Sequence, residues 1–313
     1  MEDRKAFIVG ISGASSSGKT TLARLLRDVF PSTFVLHEDD FYKPETEEGI
    51  ADWDCAEAIS IPDLARALSH IRAHGTFPVR PFRNTRRKPH VANPARKHFV
   101  DSKEDQNSVG ACPVPDASIA EARARVAAWL APGQPGHGIL SSGGGGGGGV
   151  VRAVASGSDA DGSPPPPAQP EPEQQQQQQD GLRVCILDGF LLYSEEMEAG
   201  GVTPLLDAKL FLVVGRERAM QRRRARDGYV TLDGFWTDPP GYVEKVVWPN
   251  YAAAHARLFR GGDVDAGRLD DRALRDKGIL AQTDRPDEPD METTFRWAVD
   301  TLMRQLEEAG KRR

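Results

Sequence analysis

Cysteine is scarce in this chain. Cys55, Cys112 and Cys185 are the three in 313 residues, and no two are spaced as C-x-x-C. An odd, scattered set argues against a disulfide frame and against a cysteine-built zinc site, and suits a reducing compartment, the cytoplasm or also the nucleus. Basic excess is missing too: the formal net charge is −6, so bulk charge does not point to a nucleic-acid partner. No apolar run approaches the ~18 residues that read as a membrane span. The first strand-like run, Phe7-Ile8-Val9, lies close to Met1, so a secretory signal is not expected before it. Hydrophobic residues make up only 39%, low for one compact unit of this length, and the shortfall is concentrated in the middle of the chain.

That middle is compositionally distinct. Residues 80–97 hold seven Lys/Arg and no acid. The spacing of Ile119, Ala122, Val126 and Leu130 predicts an amphipathic helix over 119–130. A glycine run (143–149), a proline run (164–167) and a glutamine run (174–179) then follow. Such a stretch buries too little apolar area to offset chain entropy, so disorder is expected over about 132–180. Protein partners of this stretch cannot be read from its composition.

The flanks read differently. After the first strand, helical spacing starts at Thr21, and Thr33-Phe34-Val35-Leu36 reads as a second strand. Leu64, Leu68 and Ile71 predict a helix over 61–74. Further strands are expected at 182–189 and 209–214, and a closing helix at 295–306, with Phe295, Val299, Leu302 and Leu306 on one stripe. Strands alternating with helices imply an α/β fold, a parallel sheet flanked by helices. We expect one domain over 1–313, its ordered core at about 1–79 and 182–313, interrupted by an insertion at 80–181.

The most specific motif is Gly13-Ala14-Ser15-Ser16-Ser17-Gly18-Lys19-Thr20, which fits G-x-x-x-x-G-K-[ST] between a strand and a helix. Glycines let backbone N–H groups turn inward around phosphate oxygens at the positive end of a helix. Lys19 adds a cation for the β/γ-phosphates, and the Thr20 hydroxyl can ligate Mg²⁺. The motif therefore predicts binding of a nucleoside triphosphate.

Ligands of open parallel sheets sit beyond the carboxyl ends of the strands. Asp39, Asp40 and Asp188 fall at such ends. A carboxylate there can hold Mg²⁺ or take the proton of an attacking hydroxyl. One of the Asp39/Asp40 pair is expected instead to cap a helix. Arg222, Arg223, Arg224 and Arg226 follow the 209–214 strand and can form a lid that brings guanidinium groups onto a transferring phosphate. In Asp52-Trp53-Asp54, a carboxylate suits the two hydroxyls of a ribose, and an indole suits a flat, above all cationic, ring.

Together, the glycine loop, Glu38-Asp39-Asp40-Phe41-Tyr42-Lys43-Pro44, Asp52-Trp53-Asp54, Leu187-Asp188-Gly189-Phe190-Leu191-Leu192 and the arginine segment resemble the nicotinamide riboside kinases, relatives of the uridine kinases among phosphate-loop kinases. The stretches 102–110, 228–236, Asp238-Pro239-Pro240-Gly241-Tyr242 and Trp248-Pro249-Asn250-Tyr251 resemble the fungal branch. The resemblance implies a phosphate-loop kinase fold with an arginine-bearing lid. It implies ATP-dependent phosphorylation of the ribose 5′-hydroxyl of nicotinamide riboside, and of nicotinic acid riboside, for NAD synthesis.

By position, the resemblance implies Gly13 through Thr21 as the ATP loop, with Arg223 and Arg226 as further ATP contacts. Asp39, Lys19 and Arg224 would be catalytic, with Asp39 the general base. Thr20, Asp39 and Asp188 would hold Mg²⁺. Asp39, Asp40, Phe41, Tyr42, Trp53, Asp54, Arg224 and Tyr229 would meet the nucleoside. Some members carry Tyr at the place of Trp53 and Glu at that of Asp188, and both exchanges keep the chemistry. The alternatives are a uridine/cytidine kinase, whose base needs edge hydrogen bonds rather than aromatic faces, and a nucleotide-binding switch. The switch would need an N-K-x-D guanine signature, for which Ser102-Lys103-Glu104-Asp105 is a poor substitute.

Overall fold

Ala6–Gly13 forms β1, and every one of its eight residues is buried. A strand covered on both faces has no use for polar alternation, which is why the run is apolar from Ala6 to Ile11, with Ser12 its one polar side chain. The computed structural model describes residues 4–43, 52–78, 111–141, 181–225, 229–230, 235–282 and 288–312. After β1 come α1 (Lys19–Val29), β2 (Thr33–His37), α2 (Ile61–His74) and α3 (Asp116–Trp129). Next are β3 (Arg183–Asp188), α4 (Glu195–Ala199), β4 (Ala208–Leu212) and α5 (Arg216–Arg224). The chain continues through β5 (Tyr229–Val230), β6 (Phe235–Trp236), α6 (Trp248–His255), α7 (Asp271–Lys277), β7 (Ile279–Ala281) and α8 (Met291–Lys311).

Five strands build one sheet in the order β2-β3-β1-β4-β7, and every pairing in it is parallel. β5 and β6 form a separate antiparallel pair. Alternate residues of β1 feed two cores. Ala6 and Ile8 pack with Leu64, Leu68 and Ile71 of α2 and with the α6 side. Phe7, Val9 and Ile11 pack with Leu22 and Leu26 of α1 and with Phe295, Val299 and Leu302 of α8. The expected α/β sheet with helices on both faces is thus present. On the α2 face, the Tyr193 hydroxyl lies 2.8 Å from the Gly10 carbonyl and 3.0 Å from that of Leu210, tying the loop after β3 onto the sheet. A Cβ on Gly10 would come within 2.7 Å of Leu206 Cδ1, so this approach needs glycine.

The predicted 61–74 helix is α2, closed by Gly75 in the left-handed region. α3 begins at Asp116, before the expected start, and its buried stripe is Ser118, Ala122, Val126 and Trp129, with Leu130 just beyond its end. α8 is longer than predicted because Asp290 caps it by accepting the Thr293 N–H at 2.7 Å.

Order was expected to stop near residue 132. Residues 132–141 instead form turns held against the core: Leu140 bridges Leu182 in parallel, Ser141 N donates to Leu182 O at 2.9 Å, and Leu140 is buried. Ile139 and Leu140 pack on the α1/α8 core, and backbone bonds to Trp129 and Leu182 hold the stretch beside them. α3 likewise supplies Ala122, Val126 and Trp129 to the α1/α8 core, so part of the insertion is structural. The basic stretch 80–97 and the three homopolymer runs lie outside the described residues. No described helix is long and apolar enough to cross a membrane.

Because the sheet is parallel, the carboxyl ends of β1, β2 and β3 open on the same side. Ile11 and His37 both pair in register with Asp188. The glycine loop, the acidic turn after β2 and Asp188 are thereby brought together.

Candidate active site

The loop from Gly13 to Gly18 is shaped by backbone that side chains would obstruct. Gly13 has φ 153° and a Cβ there would lie 2.4 Å from Leu212 O; Gly18 has φ 97° and its Cβ would lie 2.2 Å from Met291 Cε. Ser16, at φ 63°, completes the left-handed bend. α1 starts at Gly18 without a side-chain cap, so its first N–H groups face the loop. The buried Ser16 and Ser17 hydroxyls find no hydrogen-bond partner. Lys19 Nζ, buried, reaches back over the loop to Ala14 O at 2.9 Å. Inward N–H groups, two orphaned hydroxyls and a lysine form a cradle that fits a polyphosphate. Thr21 continues the first turn of α1, half-buried.

Thr20 Oγ1 donates to Asp188 Oδ2 at 2.6 Å. Burial pushes the Asp188 carboxyl up, but the hydrogen bond and charge of His37, with Lys19 and Thr20, bring it below its ordinary value, so it stays ionised. His37 Nδ1 lies 3.3 Å from the same oxygen. Burial lowers His37, yet the Asp188 hydrogen bond and charge, with Asp40 and Asp39, raise it overall. One hydroxyl and one ionised carboxylate are hard oxygen donors suited to Mg²⁺. Among the described residues no group of three His, Cys, Asp or Glu could hold a metal. A site with so few protein ligands is of the kind that Mg²⁺ completes with phosphate oxygens and water.

The acidic turn Glu38–Phe41 is a 3₁₀ turn whose N-cap is His37. Neither Asp39 nor Asp40 caps a helix, contrary to expectation, because both lie inside the turn. Asp39 is exposed at the mouth of the site, Asp40 half-buried and Phe41 buried. Sequence reading passed over Glu38, which is 0% exposed. Its Oε2 accepts the Phe190 N–H at 2.7 Å and the Leu191 N–H at 3.4 Å, clamping the loop after β3. Burial, then the Asp39 charge, push this carboxyl up to about 8, against those two N–H bonds. A Cβ on Gly189 would lie 2.8 Å from Glu38 Cβ, so Asp188-Gly189 is also a packing requirement. In sequence Glu38 looks like a third acid of a solvated turn; only its burial sets it apart.

Tyr42 pairs with Ile59 as an isolated bridge and meets Trp53 edge-to-face, ring centroids 5.9 Å apart. The Trp53 N–H donates to the Tyr242 hydroxyl at 3.3 Å. Asp54 beside it is buried, and burial raises its carboxyl while Arg223 opposes the rise. Arg223 is 8% exposed. It contacts Asp54 (3.1 and 3.4 Å), Asp238 (2.7 and 3.0 Å) and Ser15 Oγ of the glycine loop (3.0 Å). The structure therefore joins Ser15, Asp54 and Arg223 in one buried cluster. In sequence, Asp238 is a single acid before Pro-Pro and carries no signal of its own. Arg224, next along α5, is exposed and paired with Glu244. Arg222 lies 3.5 Å from Ser16 O and pairs with Glu288 at 3.3 Å. Tyr229 opens β5 opposite Trp236. Arg226 lies outside the described residues.

No family model matches the chain. Three relatives carry the comparison. The nicotinamide riboside kinase of Schizosaccharomyces pombe is 31% identical over 97% of this chain and 99% of its own length. That of Saccharomyces cerevisiae is 28% identical over 91% and 92%. Nicotinamide riboside kinase 1 of Homo sapiens is 43% identical over 70 residues, 21% of this chain and 35% of its own. A glycine loop at the carboxyl end of a parallel sheet, a Thr–Asp pair beneath it and a relative aligned nearly end to end lead to one conclusion: the chain belongs to the nicotinamide riboside kinase family.

Proposed function

We propose that the protein is an ATP-dependent nucleoside kinase that phosphorylates the ribose 5′-hydroxyl of nicotinamide riboside, and of nicotinic acid riboside, and that one domain spanning the chain does so. The observation that carries this reading is Arg223. A single guanidinium touches Ser15 of the phosphate loop and Asp54, the neighbour of Trp53. A phosphoryl donor on one side and a riboside on the other would thus sit within reach of one side chain.

In the reaction, the 5′-oxygen attacks the γ-phosphorus, the bond from that phosphorus to the β–γ bridging oxygen breaks, and ADP leaves. Asp39, exposed at the mouth, accepts the hydroxyl proton. Lys19, the inward N–H groups and a lid arginine, Arg223 with Arg224 and Arg226, balance the charge that develops on the transferring phosphoryl group. Mg²⁺, held by Thr20, Asp188 and Asp39, would neutralise phosphate charge when bound. Asp54 orients the ribose hydroxyls. Trp53 and Tyr229, with the segment Asp40-Phe41-Tyr42, form the ring side. The free cysteines fit the reducing cytoplasm.

An ADP-release assay across nicotinamide riboside, nicotinic acid riboside, uridine and cytidine tests this. The two pyridine ribosides should turn over and the pyrimidine ribosides should not. Lys19→Ala should lose on the order of a hundredfold or more in kcat. A preference for uridine would replace this reading with a pyrimidine nucleoside kinase.

A further inference from the structure

Asp238 has no place in the chemistry above, yet it contacts Arg223 at 2.7 Å, closer than Asp54 or Ser15 does. The guanidinium has five N–H donors in a rigid plane. Nε and one Nη2 hydrogen fork onto the two Asp238 oxygens at 2.7 and 3.0 Å. On the other side, Nη1 reaches Ser15 Oγ and Asp54 Oδ1 at 3.0 and 3.1 Å, and Nη2 reaches Asp54 Oδ2 at 3.4 Å. A planar fork held along one edge cannot turn about that edge without breaking both bonds. The Asp238 edge therefore dictates where Nη1 points, and Nη1 points between the phosphate loop and the ribose-side carboxylate.

Asp54 holds Arg223 less tightly, at 3.1 and 3.4 Å, and its oxygens are also the ones that would meet the ribose hydroxyls. Asp238 lies on the segment after β6, fifteen positions from Arg223, holds it at 2.7 and 3.0 Å, and is not among the residues assigned to the riboside.

We propose that Asp238 is a positioning residue for phosphoryl transfer: by forking onto Arg223 it aims one guanidinium at both substrate sites at once. The proposal rests on reading this site as a kinase centre. It predicts a signature distinct from that of a residue serving one substrate, since both KM values should respond.

The test compares wild type, Asp238→Asn, Arg223→Lys and the double variant, with Arg223→Ala as a second background. Steady-state kcat and both KM values are measured, together with Kd for a non-hydrolysable ATP analogue and the thermal midpoint. Asp238→Asn should lower kcat at least tenfold and raise both KM values severalfold. In either Arg223 background, adding Asp238→Asn should change these by less than twofold. Asp238→Glu, which keeps the fork, should recover part of kcat. An equal loss with and without Arg223, or a shift confined to the thermal midpoint, would overturn the proposal. The analogue Kd does not depend on which nucleoside is accepted. Coupling seen there in a protein that ignores pyridine ribosides would sink the substrate assignment and leave Asp238 in its role. Turnover of nicotinamide riboside without coupling would do the reverse.

Discussion

Thr20 Oγ1 and Asp188 Oδ2 stand 2.6 Å apart although 168 residues separate them in the chain. Parallel pairing of β1 with β3 sets Asp188 opposite Ile11, and the glycine loop then carries the chain over the strand end to Thr20. The insertion between α2 and β3 leaves this pairing intact, because α3 packs on the α1/α8 side and residues 132–141 dock beside the amino ends of β2 and β3, opposite the carboxyl ends where the site lies. The consequences for catalysis and stability can be measured.

If Asp39 takes the 5′-hydroxyl proton, Asp39→Asn should depress kcat by on the order of 10²–10⁴. Asp40→Asn, one position further in the same 3₁₀ turn, should cost less than about tenfold by comparison. Circular dichroism should show both variants folded. The opposite ranking would move the base to Asp40.

Trp53→Leu keeps an apolar side chain but removes the ring face. A cationic pyridinium loses about 0.5–2 kcal/mol with it, so KM for nicotinamide riboside should rise while KM for ATP holds. Asp54→Ala should raise KM for every riboside alike, since they share the ribose. Its effect on ATP should be smaller, because Asp238 still holds Arg223 beside Ser15. A Trp53→Leu enzyme that weakens ATP instead would place the indole on the other substrate.

His255 gives an acid-side stability signal. It is fully buried, stacks on Phe211 and donates Nδ1–H to Tyr251 O at 2.9 Å, which leaves Nε2 buried without a partner. Burial lowers its pKa from 6.5 to about 4. Below 6.5 the unfolded chain takes up a proton that the folded protein refuses, so the contribution is intact above 6.5 and is lost as pH falls from 6.5 toward 4. Between pH 7 and 5 this amounts to about 2 kcal/mol. Denaturant unfolding at both values should show His255→Gln losing less stability on acidification than wild type, by about that amount. Parallel losses would mean that His255 titrates normally.

Replacing residues 142–180 with a short Gly/Ser linker should leave kcat and both KM values within a few-fold. Extending the replacement to 132–180 should lower the thermal midpoint. It removes the Leu140–Leu182 bridge, the bond from Ser32 Oγ to Ser141 O and the packing of Ile139 on Gly310. Equal midpoints for the two deletions would show that residues 132–141 contribute nothing.

Sequence alone determined the features encoded by short spacing. The glycine loop, the apolar β1, the α2 helix from its Leu64, Leu68 and Ile71 stripe, and the acids at the ends of β2 and β3 each follow from neighbours a few positions apart, where backbone geometry dictates the pattern. Tertiary structure decided the rest. β7 is three residues long and has no pattern of its own; it is a strand because β4 offers an open edge. Glu38 is enclosed by the loop after β3 while Asp39 stays exposed, and that enclosure turns one acid of the turn into a buried clamp. Arg223, Asp54, Asp238 and Ser15 come from four separate segments. Their meeting depends on how α5 and the segment after β6 lie across the strand ends, and hence on packing free energy summed over the whole domain rather than on any local preference.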